Sequence, residues 1–310
     1  MLLKNNTNKI NFNKLLQMKI KDILENYIFI LPAVAIFSIF YIIPFVWVFH
    51  LGLFEWDGIS FTKIFVGLAN FKEIFLQDKS WWQSIFNASY ITLIALTFQN
   101  ILAFMLALAC DREIRMKNFY RVIFFIPPVL SEIVVGMVWR FIINDMEGAN
   151  IINRMLVTVG LPNLMHHWLS DPKTVLTTVA IVHCWKGFGW GFLIFLAGLQ
   201  TIPHQLYESA RVDGANAWQL LKKITIPLMI PVMVLVAILT VLGSMQSFAL
   251  ILGLVGGEFA GHTSVPVLRI LASMRSASPR FGYACAQGIS FGLILIIISF
   301  IQYRFSKKSQ

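Results

Sequence analysis

Long apolar stretches separated by short polar segments dominate the pattern along the chain. Six of them are about 20 residues or longer, the length that an α-helix needs to cross the hydrocarbon core of a bilayer. We predict helices, because hydrocarbon offers no partner to an open backbone and the stretches are too long for barrel strands. The predicted spans are 27–50, 82–109, 122–143, 174–199, 228–252 and 281–303.

Composition agrees with a chain that is mostly embedded in a membrane. Of its 310 residues, 57% are hydrophobic and 13% are charged, whereas about 25% of the residues in soluble domains are charged. We therefore expect an all-α membrane protein with three parts: a polar N-terminal segment (1–26), a six-helix transmembrane domain (27–303) and a short tail (304–310).

The distribution of charge predicts the orientation of the spans. The net charge is +10, but it is concentrated on one side of the predicted membrane domain. The N-terminal segment, the second and fourth loops and the tail together carry 15 basic and six acidic residues, against nine and eight on the other side, where Arg140 at the end of the third span is included. Because basic loops stay in the cytoplasm, both termini are expected there. The positive charge thus reports topology, and no nucleic-acid partner is expected.

The fourth loop has the most specific sequence, "IPHQLYESARVDGANAWQLLKKITIPLMIP" (202–231). It predicts a first helix over about His204–Val212, ended by Gly214 in a left-handed conformation. A second helix is predicted over 215–224, with a break at Pro227 before the fifth span. A compact amphipathic projection of this kind is suited to docking into a cleft of another protein.

This loop resembles the EAA signature of the membrane subunits of binding-protein-dependent ABC importers. The matching residues are Glu208, Ala210, Gly214, Ile224 and Pro227, and the departures are Ser209 and Ile226. The resemblance covers nearly the whole chain, and its other motifs are typical of the maltose/glycerol-phosphate type of sugar permease: "VGLANF", "FFIPPVLS", "VVGMVWRFI", "LAGLQTIPHQLYESARVDGA" and Gly256-Gly257.

The resemblance implies a type I ABC importer permease of a bacterial inner membrane, not an enzyme. Its implied partners are a second homologous permease, a dimer of ATP-binding cassette subunits and an extracytoplasmic solute-binding protein. A loop over 200–227 would couple to the ATPases through Glu208, Ser209, Ala210, Asp213, Gly214 and Ala215. No Gly-x-x-x-x-Gly-Lys-Ser/Thr stretch occurs, so ATP and Mg²⁺ are expected on the separate subunits, with no cofactor or metal on this chain.

Polar residues interrupt the fourth predicted span in the stretch "HCWKGFGW", which begins at His183. A lysine near the bilayer centre is unfavourable by about 2.5–3.5 kcal/mol on insertion scales, so Lys186 is expected to face the protein interior. Residues spaced i, i+3, i+4 and i+7 share a helical face. That face consists of His183, Lys186, Gly187 and Trp190. An aromatic ring beside hydrogen-bonding groups suits a sugar ligand.

A second polar stripe is predicted in the fifth span. Thr240, Ser244 and Ser247 are spaced i, i+4 and i+7, and Gln246 is adjacent. The resemblance to the maltose permease subunit implies substrate contacts in both stretches. For the fifth span it implies Gly243, Ser244 and Ser247 as contacts, and we add Gln246 as a further candidate.

The roles of these residues have alternatives. Glu132 lies within about 5 Å of the depth of Lys186, so the two could instead form an intramembrane ion pair. Lys186 could also contact the partner permease, and helical serines often bond their own i−4 carbonyl. If His183 and Lys186 face the cargo, an acidic, uronate-type oligosaccharide or a phosphorylated small molecule such as glycerol phosphate is favoured over a neutral oligosaccharide.

Two other classes of function remain as alternatives. A membrane enzyme would need paired carboxylates near a membrane surface. The candidates, Asp111 with Glu113 and Asp145 with Glu147, are more simply loop charges on opposite sides. A passive channel or secondary transporter would not need the docking loop. Neither alternative explains the spacing from Glu208 to Pro227.

Overall fold

A computed structural model describes residues 27–111, 115–144, 150–257 and 261–308, so the predicted segment 1–26 and the loop acids Glu113, Asp145 and Glu147 lie outside it. Helices form most of the described chain. They are α1 (Tyr27–Leu51), α2 (Ala69–Leu76), α3 (Lys79–Asp111), α4 (Lys117–Val129), α5 (Glu132–Ile143), α6 (Ile151–Thr158), α7 (Val175–Leu199), α8 (His204–Val212), α9 (Ala217–Met245), α10 (Ala249–Val255), α11 (Pro266–Arg275) and α12 (Phe281–Lys308). Two short antiparallel strands, β1 (Phe54–Glu55) and β2 (Ile64–Phe65), follow α1.

Five of the described helices are long and apolar enough to cross a membrane: α1, α3, α7, α9 and α12. The sequence predicted the first, second, fourth and sixth spans within a few residues of their observed ends. The last helix continues to Lys308, so the predicted tail from residue 304 begins inside a helix.

The third span is not the single helix predicted over 122–143. It consists of α4 and α5, which meet at an angle of 96° across the residues Leu130 and Ser131. Pro127 and Pro128 close the end of α4. Two successive prolines remove two backbone donors, and Leu130 takes an extended conformation, so the chain turns there instead of bending gently.

The fifth span also ends earlier than predicted over 228–252. Its helix, α9, stops at Met245, and a separate helix, α10, begins at Ala249. Helices α5 and α10 pack closely through Gly136 and Gly253. A Cβ at Gly136 would collide with the Leu250 carbonyl oxygen, and one at Gly253 with the Ile133 carbonyl oxygen. Helices α5 and α10 therefore form one packed unit.

The predicted break at Pro227 does not occur. Residues 217–245 form one continuous helix, in which a π-helical turn over Leu221–Thr225 directly precedes the proline. The Ile226 amide donates to the Leu221 carbonyl five residues back. In the π-helical turn the hydrogen bonds reach the carbonyl five residues back instead of four. The helix can therefore continue through Pro227, although the proline has no N–H to donate.

Helix α7 is the most enclosed span of the described chain. It packs against α3, α4 and α9, and 61% of its apolar window is buried, whereas none of the corresponding window of α1 is buried. Its buried aromatic side chains Phe188, Phe192 and Phe195 belong to one hydrophobic cluster. Side chains in the middle of α7 are therefore held in a fixed position relative to three neighbouring helices.

An ionic network joins the beginnings of α3 and α12. Asp78 caps α3 by accepting from the Trp81 amide, and its second oxygen accepts from the Tyr283 hydroxyl at 2.7 Å. Arg280 makes a bidentate pair with Glu73 of α2, with both nitrogen–oxygen distances at 2.7 Å. The Glu73 carboxylate raises the pKa of the Arg280 guanidinium, so the pair stays charged.

Candidate functional site

A cavity of about 360 Å³ lies midway along α7 and is bounded by α3, α5, α7 and α9. Its polar and charged lining groups come from all four of these helices, while its remaining wall is apolar or glycine. The lining residues are Gln99, Glu132, His183, Lys186, Gly187, Trp190, Gly191, Ile194, Val236, Leu239, Thr240, Gly243 and Ser244. Six of the eight residues that sequence analysis selected as substrate contacts are among them.

The α7 residues of the cavity are the helical face that the sequence predicted. His183 is nearly buried, whereas the side chain of Trp190 is 55% exposed and its ring packs edge-to-face against Phe125 at 5.4 Å. Trp190 is thus only partly covered by its neighbours, and it lines the same cavity as Lys186. The helix supplies a cation, an imidazole and a flat apolar surface within two turns.

Lys186 faces Glu132 across the cavity. The Nζ–Oε1 distance is 3.7 Å, and the side chains are 12% and 38% exposed. Glu132 is the first residue of α5, directly after the break, where the helix dipole favours a negative charge. At 3.7 Å the pair is longer than a charged hydrogen bond of 2.7–2.9 Å. The two charges attract each other, yet each keeps hydrogen-bonding capacity for a third group.

Gly187 and Gly191 receive a neighbouring helix. A Cβ at Gly187 would lie 2.5 Å from Oε1 of Gln99, and one at Gly191 would lie 3.2 Å from Cβ of Ala103. Both contacts are with α3. These two glycines therefore let α3 approach α7 closely, and both also border the cavity.

The α9 residues of the cavity bond mainly within the protein. The Thr240 hydroxyl lies 2.8 Å from the Val236 carbonyl oxygen and 3.0 Å from Oδ1 of Asn100. Ser244 donates to the Thr240 carbonyl oxygen at 2.6 Å, which is the i−4 bond considered from the sequence. Ser244 can still accept a hydrogen bond, and Gly243 leaves the wall open.

Gln246 and Ser247 do not line the cavity. The predicted stripe assumed that the helix continues through both positions, but α9 ends at Met245. The i+7 relation between Thr240 and Ser247 is therefore lost, and Ser247 is buried at the turn before α10, while Gln246 is exposed.

Sequence analysis missed Gln99, whose side chain is 5% exposed. A signal was present, because Gln99 and Asn100 are adjacent amides inside the apolar stretch "LIALTFQNILAF". Polar side chains within a span usually face the protein interior or a cavity. The position of Gln99 opposite Gly187 depends on how α3 and α7 pack against each other. The residue pattern of one helix does not show how two helices pack.

The fourth loop forms the first helix and the turn that the sequence predicted, but the second predicted helix begins at Ala217 and continues into the fifth span as α9. Helix α8 has the predicted bounds, and Gly214 is left-handed with φ +83°. The Ala215 amide closes the turn on the Ala210 carbonyl oxygen at 2.9 Å. A hydrogen bond of 3.0 Å between the hydroxyls of Tyr207 and Thr225 ties α8 to the π-helical turn of α9.

Most of the predicted coupling residues lie on the free surface of this loop. Ala210 and Ala215 are half-buried, while the others are exposed: Glu208, Ser209, Asp213 and Gly214. Val212 and Trp218 are also exposed, at 88% and 67%. Because these large apolar side chains are exposed on the same loop as the Glu208 carboxylate, the loop has a surface suited to a protein partner.

Residues 99–310 match the family described as "Binding-protein-dependent transport system inner membrane component". The chain belongs to this family. It is an inner-membrane transport subunit with several membrane-spanning helices, as the EAA-like loop indicated.

Named relatives and solved structures agree with this membership. The chain is 30% identical to the "Probable ABC transporter permease protein YurN" of Bacillus subtilis, over 91% of this chain and 95% of that protein. It is 27% identical to the "Probable starch degradation products transport system permease protein AmyD" of Thermoanaerobacterium thermosulfurigenes, over 92% and 94%. A permease chain in the crystal structure of a bacterial ABC transporter that imports the acidic polysaccharide alginate aligns with a TM-score of 0.77 and 22% identity, covering 94% of this chain and 98% of that one.

The similarity to permeases confirms two predictions. The fold is that of a type I ABC importer permease, with five helices that can each span a membrane and the bent pair of α4 and α5 as a sixth span. The chain is a non-catalytic membrane subunit, because its relatives are named permeases.

Proposed function

We propose that this permease carries a sugar or oligosaccharide through the cavity beside α7, and that the cargo bears a negative charge. The observation that carries the proposal is the position of Lys186, which lines the cavity at mid-span together with the partly exposed Trp190. An ammonium donates hydrogen bonds to a carboxylate or phosphate oxygen, while an indole face stacks on the C–H groups of a sugar ring.

The carbohydrate class is supported by the relatives. AmyD is named for the transport of starch degradation products. The crystallised transporter imports an acidic polysaccharide, but at 22% identity its likeness to this chain concerns the fold alone. The acidic nature of the cargo therefore rests on Lys186.

Glu132 provides the negative charge that pairs with Lys186 when no cargo is bound. A cargo carboxylate that approaches Lys186 replaces Glu132 as its partner, and the exposed Glu132 can then take part in hydrogen bonds with cargo hydroxyls. In this way the ion pair and the substrate contact, which were alternatives from the sequence, describe two occupancies of one site. A neutral oligosaccharide or a phosphorylated polyol remains the alternative cargo.

Partner proteins complete the transporter that we propose. A second homologous permease covers the open side of the cavity and the exposed apolar helix α1. A dimer of ATP-binding cassette subunits binds the loop around Glu208 and hydrolyses ATP with Mg²⁺, and an extracytoplasmic binding protein delivers the cargo. Both termini then lie in the cytoplasm, in agreement with the basic inner loops.

Cargo-stimulated ATPase activity of the complete complex in lipid, with its binding protein, tests the proposal. The probes are a uronate trisaccharide and the neutral trisaccharide made by reducing its carboxyl groups. We expect Lys186→Met to raise the half-stimulating concentration of the acidic probe by about 10–100-fold, the value of a charged hydrogen bond of about 1.5–3 kcal/mol, and to leave the neutral probe unchanged.

Lys186→Arg is the matched control, since it keeps the positive charge and should retain the preference for the acidic probe. An equal loss for both probes in Lys186→Met, or a complex that no longer assembles, would instead assign Lys186 to the structural pair with Glu132.

A further inference from the structure

Gln99 has an unusual environment for a residue inside an apolar span. Its side chain is 5% exposed, yet it lines the cavity. Its Oε1 is buried and has no hydrogen-bond partner among the described residues. Because buried side-chain oxygens are nearly always paired, such an atom needs an explanation.

Local backbone geometry directs this side chain toward the cavity. A π-helical turn over Ala95–Gln99 interrupts α3 and ends at Gln99, and the Asn100 amide lies within hydrogen-bonding distance of the Ala95 carbonyl oxygen five residues back. The wide turn rotates the residues that follow it relative to an uninterrupted helix. Turns of this kind occur frequently at functional sites.

The opposing helix leaves room for the amide. Gly187 lies directly across from Gln99, and even a methyl group there would come within 2.5–2.9 Å of Oε1, Cδ and Nε2. The missing side chain at Gly187 therefore lets the amide end of Gln99 reach the wall of the cavity between α3 and α7. Lys186 is the next residue along the chain, so the acceptor and the ammonium border the same space.

Neighbouring polar groups do not use this acceptor. Thr240 bonds to Val236 and Asn100, and Ser244 bonds to the Thr240 carbonyl. Lys186 is directed at Glu132. The free oxygen of Gln99 is thus an acceptor that the empty cavity leaves unused, and a hydroxyl or amide N–H of a bound molecule would satisfy it.

We propose that Gln99 is a further cargo-binding residue whose Oε1 accepts a hydrogen bond from a hydroxyl of the cargo beside Lys186. This inference rests on the proposed role of the cavity as the cargo site. Lys186 recognises charge, whereas Gln99 recognises a neutral donor, so Gln99 contributes equally to acidic and neutral sugars.

The test uses the complete complex in lipid with its binding protein, and the half-stimulating concentrations of the uronate trisaccharide and its carboxyl-reduced counterpart. Gln99→Leu should raise both by about tenfold, the value of one buried hydrogen bond. Gln302→Leu is the matched control, because Gln302 also has a buried, unpartnered Oε1 but belongs to α12, away from the cavity. It should leave both concentrations unchanged.

Gln99→Glu keeps the acceptor and the shape of the side chain, and it provides the test if Gln99→Leu fails to assemble. We expect it to weaken stimulation by the acidic probe through repulsion and to preserve stimulation by the neutral one. Unchanged stimulation in Gln99→Leu, or equal effects of Gln99→Glu on both probes, would overturn the inference while leaving the effect of Lys186→Met intact. Stimulation by neither probe in the native complex would overturn the proposed function and this inference with it.

Discussion

Lys186 combines two requirements that usually conflict within a membrane. A charge at mid-span is tolerated only in a polar setting, and Glu132 at 3.7 Å provides one. Cargo recognition requires that the same ammonium remain accessible, and the long distance and the adjacent cavity allow this. A single residue can therefore be stabilised in the empty state and still bind an anion.

Gly187→Ala tests how closely α3 and α7 approach at the site. The new methyl group meets the far end of the Gln99 side chain, which can move, so we expect the complex to assemble normally. The displaced amide should then raise the half-stimulating concentration of an active sugar by several-fold, to about tenfold. The measurement is cargo-stimulated ATPase activity alongside the yield of purified complex.

Gly288→Ala is the control for this change, because nothing lies within 4 Å of a Cβ at Gly288 in α12. A native response to cargo in Gly187→Ala would mean that the position of the Gln99 amide does not matter for recognition.

At the scale of helices, the two broken spans place the cavity. Helices α5 and α10 both begin after a break and pack through Gly136 and Gly253. The break before α5 brings Glu132 to a helix N-terminus facing α7. An uninterrupted third span would not present a carboxylate in this way.

Gly136→Val should disrupt the packing of α5 on α10. Its side chain would collide with the backbone of Leu250 and Leu254, which cannot rotate away as a flexible side chain can. Overpacking of this kind typically lowers the free energy of unfolding by about 1–3 kcal/mol. A lower midpoint of thermal unfolding of the solubilised complex is expected, and an unchanged midpoint would contradict the close α5–α10 contact.

Asp78→Ala tests the start of α3. It removes the cap on the Trp81 amide and the acceptor of the Tyr283 hydroxyl. Loss of a cap alone lowers stability by about 0.5–2 kcal/mol, so the thermal midpoint should fall measurably. Asp171→Ala, in which the exposed carboxylate accepts from the Lys173 amide in a loop, is the control and should have a smaller effect. Equal effects would argue against a special role of the cap.

The six spans, the bounds of α8 and the face of α7 were predicted from the sequence, because hydropathy, helix-end residues and the spacing of polar residues are all local patterns. The third span was predicted as a single helix over 122–143, and the turn of 96° after Pro127 and Pro128 was not predicted. No proline or glycine lies between α9 and α10, so the sequence contains no local signal for the break after Met245. It depends on the packing of α10 against α5, and the location of Gln99 likewise depends on a contact between distant helices.

At the scale of the whole molecule, the cavity proposed for cargo recognition is separate from the loop proposed for coupling to the ATPase subunits. The cavity lies at mid-span, while the exposed fourth loop is linked to α9 through Tyr207 and Thr225. Helix α9 also forms one wall of the cavity. A movement of the loop can therefore reach the cavity through one continuous helix.

Glu208→Lys should prevent the ATPase subunits from driving movement of the cavity through the fourth loop. Glu208 is exposed, so the fold and thermal midpoint should remain native. We expect the ATPase subunits to copurify less with the variant and ATP-driven uptake to fall by at least about tenfold, which corresponds to about 1.4 kcal/mol. Gln205→Lys, an exposed change one turn earlier, serves as the control. Native uptake in Glu208→Lys would favour a passive channel or a secondary transporter.

The most direct test of the central claim is equilibrium binding of cargo to the cavity itself. The complete complex would be trapped with a hydrolysis-deficient ATPase subunit, and the uronate trisaccharide would be compared with its carboxyl-reduced counterpart. We predict that the native complex binds the acidic sugar at least about tenfold more tightly, and that Lys186→Met abolishes this difference while the neutral sugar binds as before. Equal binding of the two sugars to the native complex, or a preference that persists in Lys186→Met, would contradict the assignment of Lys186 as the residue that recognises an anionic cargo.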